Sequence, residues 1–138
     1  MTADEARRRF AAAPVARLAS TGAQGRPHLV PITFALLRDT IYSAVDRKPK
    51  RTLALARLRN ITADPAVAVL ADHYEADWER LWWVRADGRA RTVAITLEEA
   101  RAPLAALAER YPAYRVEPPP GPLIAVDVER WSGWSAAG

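Results

Sequence analysis

The sequence predicts a mainly β, α+β fold: a small β-barrel of six or seven mostly antiparallel strands with helices at its periphery. Three observations carry that expectation. Short runs with alternating apolar residues recur along the chain, and glycine, proline and aspartate punctuate them at hairpin spacing. Only three segments are helical in pattern, each with its own start or stop signal. There is no internal repeat and no long polar tract, so residues 1–138 are expected to form one domain.

Thr2-Ala3-Asp4-Glu5 reads as a capping box opening a helix to about Ala12, which Pro14 ends. Val15–Ser20 is the first strand, and Thr21–Arg26 supplies the glycines of a hairpin loop. His28–Leu36 reads as a strand with Val30, Ile32 and Phe34 on one face. Pro31 within it removes a backbone donor and so marks an edge or a bulge. After the Arg38-Asp39 turn, Thr40–Val45 is a third strand. Arg51–Ala63 has helical spacing and is stopped by Asp64-Pro65.

Ala66–Asp72 is a short β-rich run. Leu81–Thr96 is a strand pair or one bent strand, with Asp87-Gly88 as a turn or bulge. Thr96-Leu97-Glu98-Glu99 is a second capping box, expected to open a helix to about Arg110. Pro118–Pro122 forms a stiff connection. Leu123–Trp131 alternates, with Ile124, Val126 and Val128 inward and Asp127 and Glu129 outward.

Composition removes several classes of chemistry. The chain has no cysteine, so neither a disulfide framework nor a thiolate metal site is possible. The two histidines, His28 and His73, stand far apart in no metal-ligand pattern. No G-x-S-x-G, Walker A or G-x-G-x-x-G motif occurs, so nucleophilic hydrolysis and P-loop or Rossmann nucleotide binding lose their support. The acidic, polar start is unlike a signal peptide, and no apolar run approaches the roughly 20 residues that span a bilayer. The expectation is a cytoplasmic protein with no membrane partner and no metal. A chain this poor in catalytic groups suits either pure binding or an enzyme whose cofactor carries the chemistry.

The net charge of +4 and pI of about 10.0 point to an anionic partner. Six of the twenty basic residues fall within Arg47–Asn60, and the chain's two lysines, Lys48 and Lys50, are both among them. This stretch lies between a strand and a helix start, where free backbone amides favour anions and Thr52 adds a hydroxyl. The reading as a phosphate clamp stands beside the plainer one of a solvated basic loop. No aromatic residue interleaves with the run, which counts against nucleic-acid binding. Tryptophans form the second feature. Trp78, Trp82 and Trp83 cluster, and Trp131 and Trp134 lie near the end. Adjacent Trp82 and Trp83 must face opposite sides of a strand, one into the core and one towards a pocket or interface. His28 and the run Asp72–Asp77 read most simply as polar surface.

The order of segments resembles a known family. Leu18-Ala19-Ser20-Thr21, Gly25-Arg26-Pro27-His28-Leu29-Val30-Pro31-Ile32, Ile41–Asp46 and Arg57-Leu58-Arg59-Asn60-Ile61 before Asp64-Pro65 are similar to the split β-barrel, pyridoxamine 5′-phosphate oxidase-like flavin and deazaflavin proteins. Asp72-His73-Tyr74, Leu81–Arg85 and Gly88-Arg89-Ala90 resemble a branch of probable coenzyme F420-dependent oxidoreductases of actinobacteria, and the Ala-, Arg- and Pro-rich composition fits a GC-rich genome of that kind.

The resemblance implies an FMN-binding-like split barrel and a homodimer with cofactor sites at the subunit interface. It implies a ring lying against His28, Val30, Pro31 and Ile32 and against Ser43, Ala44 and Val45. The cofactor's phosphate would be held by Lys48, Lys50, Arg51, Thr52 and Arg57; apart from the resemblance, Trp83, Trp131 and Trp134 are candidates for lining the acceptor side. The expected activity is reduction of a conjugated small molecule by reduced F420, with no obligatory protein acid or base. FMN is the alternative cofactor, and a non-catalytic F420 or flavin carrier is the alternative function.

Overall fold

The computed structural model describes residues 1–45 and 51–138, with side chains for all of these except 51–55. Seven strands form one sheet: β1 (Ala16–Thr21), β2 (Pro27–Ile32), β3 (Ala35–Leu37), β4 (Thr40–Ala44), β5 (Ala66–His73), β6 (Trp82–Val93) and β7 (Leu123–Ser135). Their order is β2-β1-β5-β6-β7-β4-β3, and every pairing is antiparallel. Four helices accompany them: α1 (Ala3–Ala12), α2 (Arg51–Ala63), α3 (Arg101–Arg110) and α4 (Ala113–Val116). Among the described residues the two edges, β2 and β3, do not pair with each other. Side chains from both edges nonetheless meet in one core, with Ile32 and Val30 from β2, Ile41 from β4 and Leu36 from β3. The sheet therefore curls without closing, which is the split barrel the sequence predicts.

Local chemistry explains most of the elements. Thr2 caps α1, its Oγ1 accepting from the Glu5 N–H at 3.1 Å, and Ala6 and Phe10, one turn apart, are fully buried. Phe10 stacks at 4.6 Å on Phe34 and meets Trp131 edge-on at 5.3 Å, so α1 plugs one end of the barrel. Pro31 sits on edge strand β2, where its missing N–H costs no ladder bond. The α2 helix has the predicted bounds, and Leu58 and Ile61 pack against the barrel core.

Several expectations are corrected. The run His28–Leu36 is two strands, because distant side chains take the backbone bonds at the break. Ser43 Oγ donates to the Thr33 carbonyl at 2.8 Å, and the Phe34 N–H donates to the Tyr111 hydroxyl at 3.2 Å. Of the two readings of residues 81–96, the single strand with a bulge holds: residues 82–93 form one strand, and a bulge opposite Asp87 and Gly88 leaves Glu129 as the extra residue on β7. The second capping box does not form: a 3-10 turn at Glu98–Ala100 precedes α3, with no side-chain cap. Its Glu99 is instead engaged by Arg91 and Tyr42. The alternation in β7 is broken because Leu123 and Ala125 are buried as well as Ile124 and Val126. A second core lies there, where the outer face of β4 and β7 is covered by Ala100 and Leu107 of the α3 region. The short helix α4 has no counterpart in the sequence expectations.

Candidate functional site at the hairpin end of the barrel

Antiparallel pairing sets Ser20 of β1 directly opposite His28 of β2, so both side chains lie on one face of the sheet. That face is the inner one, since the neighbouring pairs Leu18–Val30 and Ala16–Ile32 line the core. Ser20 is only 5% exposed. Its Oγ and the His28 Nδ1 are buried and have no hydrogen-bond partner among the described residues. A buried polar group left unmade costs about 1–3 kcal/mol, so two facing each other across one strand pair make this the candidate site.

The surroundings of this pair come from the hairpin and α2. The Gly22 N–H donates to the Arg26 carbonyl at 2.7 Å and closes the β1–β2 loop. A methyl group on Gly22 would lie 3.7 Å from the Asn60 side-chain amide, so α2 crosses over the hairpin here. Arg57, half-buried, stands one turn before Ile61 on the same helix. The helix begins at Arg51, within the basic run, as the sequence predicts. Lys48 and Lys50 lie outside the described residues, and for Arg51 and Thr52 the structure gives the backbone position at the start of α2.

The other expected ring contacts divide. His28, Val30 and Ile32 share the inner face, whereas Pro31 points outward beside Leu29, which is 67% exposed. Ser43, Ala44 and Val45 are all buried; the Ser43 hydroxyl is bonded to Thr33, Ala44 packs beneath α3 and Val45 packs in the barrel. Their side chains thus belong to the two cores.

The tryptophans separate in the same way. Trp83 of β6 pairs with Trp134 of β7 on the outer face, and Trp83 lines a cavity of about 340 Å³ with Leu70, Tyr74 and Arg85. The Arg85 guanidinium lies 5.8 Å from the Trp83 ring centre. Trp131 faces inward instead, against Phe10, with its indole N–H donating to Asp39 at 3.1 Å. It therefore lies on the opposite face of the sheet from Trp83 and Trp134. Trp82, inward, and Trp83, outward, obey the predicted alternation.

The strongest electrostatic coupling lies elsewhere and is architectural. Arg91 donates to Glu99 at 2.7 and 2.8 Å and to Asp127 at 2.7 Å, while Tyr42 donates to Glu99 at 2.8 Å. The Arg91 hydrogen bonds hold both carboxyls below the usual carboxylate range, and burial, then Glu99, push the Tyr42 phenol up. This cluster ties the lead-in of α3 to β4, β6 and β7. In the turn after β5, a hydrogen bond from His73, and more weakly Arg80, lowers the Glu75 carboxyl. No group of three or more metal-ligating side chains forms among the described residues, and no described helix is long and apolar enough to cross a membrane.

The sequence profile of pyridoxamine 5′-phosphate oxidase matches residues 2–135, nearly the whole chain. The chain belongs to the pyridoxamine 5′-phosphate oxidase family. Solved structures agree with that membership in fold. A FAD-binding protein from Mesorhizobium loti superposes with a TM-score of 0.73 at 20% identity, covering 96% of this chain and 92% of that one. The FAD-binding protein of Mycobacterium smegmatis gives 0.63 at 26% identity, covering 97% and 94%. The heme storage protein of Vibrio cholerae gives 0.69 at 17% identity, covering 98% and 95%. No curated protein matches the chain in a sequence comparison. These structures thus share this chain's fold while differing in what their names say they bind. Sequence reasoning missed Ser20, since a serine before a hairpin reads as surface; only its position opposite His28 makes it informative.

Proposed function

We propose that the protein is an oxidoreductase that binds reduced coenzyme F420, a deazaflavin, and passes a hydride to a conjugated small molecule. The observation that carries the reading is the pair of buried, unpartnered polar atoms, Ser20 Oγ and His28 Nδ1, beneath the helix that begins within the basic run. The donor set suits a cofactor with a planar polar ring and a phosphodiester: an imidazole and a hydroxyl at the barrel end, then cations and free helix amides. Lys48, Lys50, Arg51, Thr52 and Arg57 would hold the anionic part, and Ser20 and His28 would hydrogen-bond the polar edge of the ring. When bound, the cofactor supplies the hydride. The chain's part is to fix the cofactor's orientation, neutralise its phosphate and keep water from the reacting face. No side chain is required to take up or release a proton at a fixed atom.

A flavin is the second reading, and the FAD-binding relative from Mycobacterium smegmatis, at 26% identity, favours it. The excess of cations over one phosphate clamp favours the more anionic deazaflavin. Association of two copies belongs to the same proposal. The outer sheet face presents two separate exposed apolar side chains, Leu29 on β2 and Trp134 on β7, 67% and 43% exposed, which a second copy would cover. Fluorescence titration of the purified protein with F420 and with FMN tests the cofactor. Saturable F420 binding tighter than FMN supports the proposal. A stoichiometric FMN complex with no measurable F420 affinity overturns it in favour of a flavoprotein.

A further inference from the structure

A second cleft lies at the other end of β1 from Ser20 and His28. It encloses about 600 Å³ between the last turn of α1 and the tip of the β5–β6 hairpin. Ser20 stands three residues beyond Arg17 and five beyond Val15, the cleft residues nearest to it along the chain, about 10–17 Å at the usual rise. A ligand held in one therefore does not occupy the other.

The walls of the cleft are apolar and fixed. Ala12, Ala13, Pro14 and Val15 form one side. This segment is pinned from behind: Arg110 donates to the Ala13 carbonyl, and the Tyr111 hydroxyl donates to the Pro14 carbonyl at 2.9 Å. Aromatic groups form the opposite side. Trp82 lines the cleft, and Tyr74, 62% exposed, stands at its mouth. A flat ring entering between them meets a rigid aliphatic wall and the part of the Trp82 indole that the Arg9 guanidinium leaves open.

Charge selects the kind of flat molecule. Two guanidinium groups, Arg9 and Arg17, line the cleft against a single carboxylate, Asp72. Arg17 is paired with Asp72 at 3.0 Å. Arg9 lies 5.5 Å from the Trp82 ring centre, and its carboxylate contact, Glu5, is at 3.5 Å, the limit of a hydrogen bond. One cation is thus held over the aromatic wall with most of its donors available to an incoming anion.

We infer that this cleft is a binding site for a flat, conjugated organic acid, its ring against Trp82 and its carboxylate on Arg9. The site is independent of the cofactor proposal and stands whether the protein uses a deazaflavin, a flavin or neither. Arg9 acts as the charge partner, and the Arg17–Asp72 pair closes the polar rim.

Calorimetry and two-dimensional NMR with 2-naphthoate test it on the full chain, with 2-naphthylmethylammonium as a cation of the same shape. Saturable one-to-one naphthoate binding is expected at about 0.1–1 mM. Shifts should concentrate at the Trp82 indole and at the Arg17, His73 and Tyr74 amides, leaving Ser20 and His28 unmoved. Arg9→Gln should weaken binding about tenfold, the loss of one charge-assisted contact. Ala12→Phe, at an exposed lining position, should fill the cleft and abolish binding, with the thermal midpoint of each variant confirming an intact fold. Equal affinity for the ammonium probe, unchanged binding in both variants, or no saturation up to about 10 mM overturns the inference.

Discussion

A side chain on Gly88 would meet the barrel's backbone more closely than one on any other described glycine. A methyl group built on it would lie 2.3 Å from the Asp127 carbonyl oxygen and 3.1 Å from the Val128 Cα, both backbone atoms of β7. Relieving that overlap requires the β6 and β7 backbones to part by close to 1 Å, about the shortfall from ordinary contact. The two strands form the longest ladder in the sheet, and the site adjoins the bulge at Asp87 and Gly88, so the displacement cannot be absorbed by one flexible side chain. Gly88→Ala is expected to cost about 3 kcal/mol, at the upper end of overpacking in a well-packed interior. For a chain of 138 residues the unfolding entropy near the midpoint is about 0.29 kcal/mol/K, so the midpoint should fall by about 10 °C. Thermal and urea unfolding followed by circular dichroism measure both values. Gly121→Ala is the control, since nothing lies within 4 Å of a methyl group there and its φ is not positive; it should stay within about 0.5 kcal/mol of the parent. A loss below about 1 kcal/mol for Gly88→Ala would refute the close approach of β6 and β7.

Three further outcomes follow from the same structure. Arg91→Met removes the partner of Glu99 and Asp127, whose side chains are 37% and 50% exposed, so solvent screening limits the cost to about 1–2 kcal/mol at neutral pH. Both carboxyls titrate below their ordinary values, so their contribution is complete above about pH 4–5 and is lost as pH falls through the lowered values; the variant should lose less stability than the parent in that acid window, measured by urea unfolding at each pH. Ser20→Ala deletes a buried hydroxyl without a partner among the described residues, so the free protein should keep its stability within about 0.5 kcal/mol while cofactor affinity drops about tenfold; a destabilised free protein with unchanged affinity would make the hydroxyl structural. Lys50→Ala combined with Arg51→Ala should weaken cofactor binding about 10- to 100-fold in the same fluorescence titration, and unchanged affinity would move the anion clamp elsewhere.

Local signals made much of the fold legible. The Thr2 cap, the bounds of α2 and the edge position of Pro31 all rest on interactions within a few residues, and each is found. The failures share one cause: a partner far along the chain. Thr33 and Phe34 leave the ladder because Ser43 and Tyr111 take their backbone groups, 10 and 77 residues away. Glu99 fails as a capping residue because Arg91 and Tyr42 hold it. Leu123 and Ala125 are buried because α3 folds over the outer face of β7. The candidate site shows the same division. The basic run and His28 stand out in the sequence, whereas Ser20 becomes informative only when pairing sets it opposite His28. Trp131 belongs with Phe10 rather than with Trp83 and Trp134, a distinction set by which face of β7 each residue occupies.

Mapping F420 onto the protein by backbone amide shifts, with FMN titrated in parallel, tests the central claim most directly. The account predicts saturable F420 binding with the largest shifts at Ser20, His28 and residues 51–57, and little change at residues 72–74 and 82. Saturating F420 that leaves the Ser20 and His28 amides unmoved would contradict it.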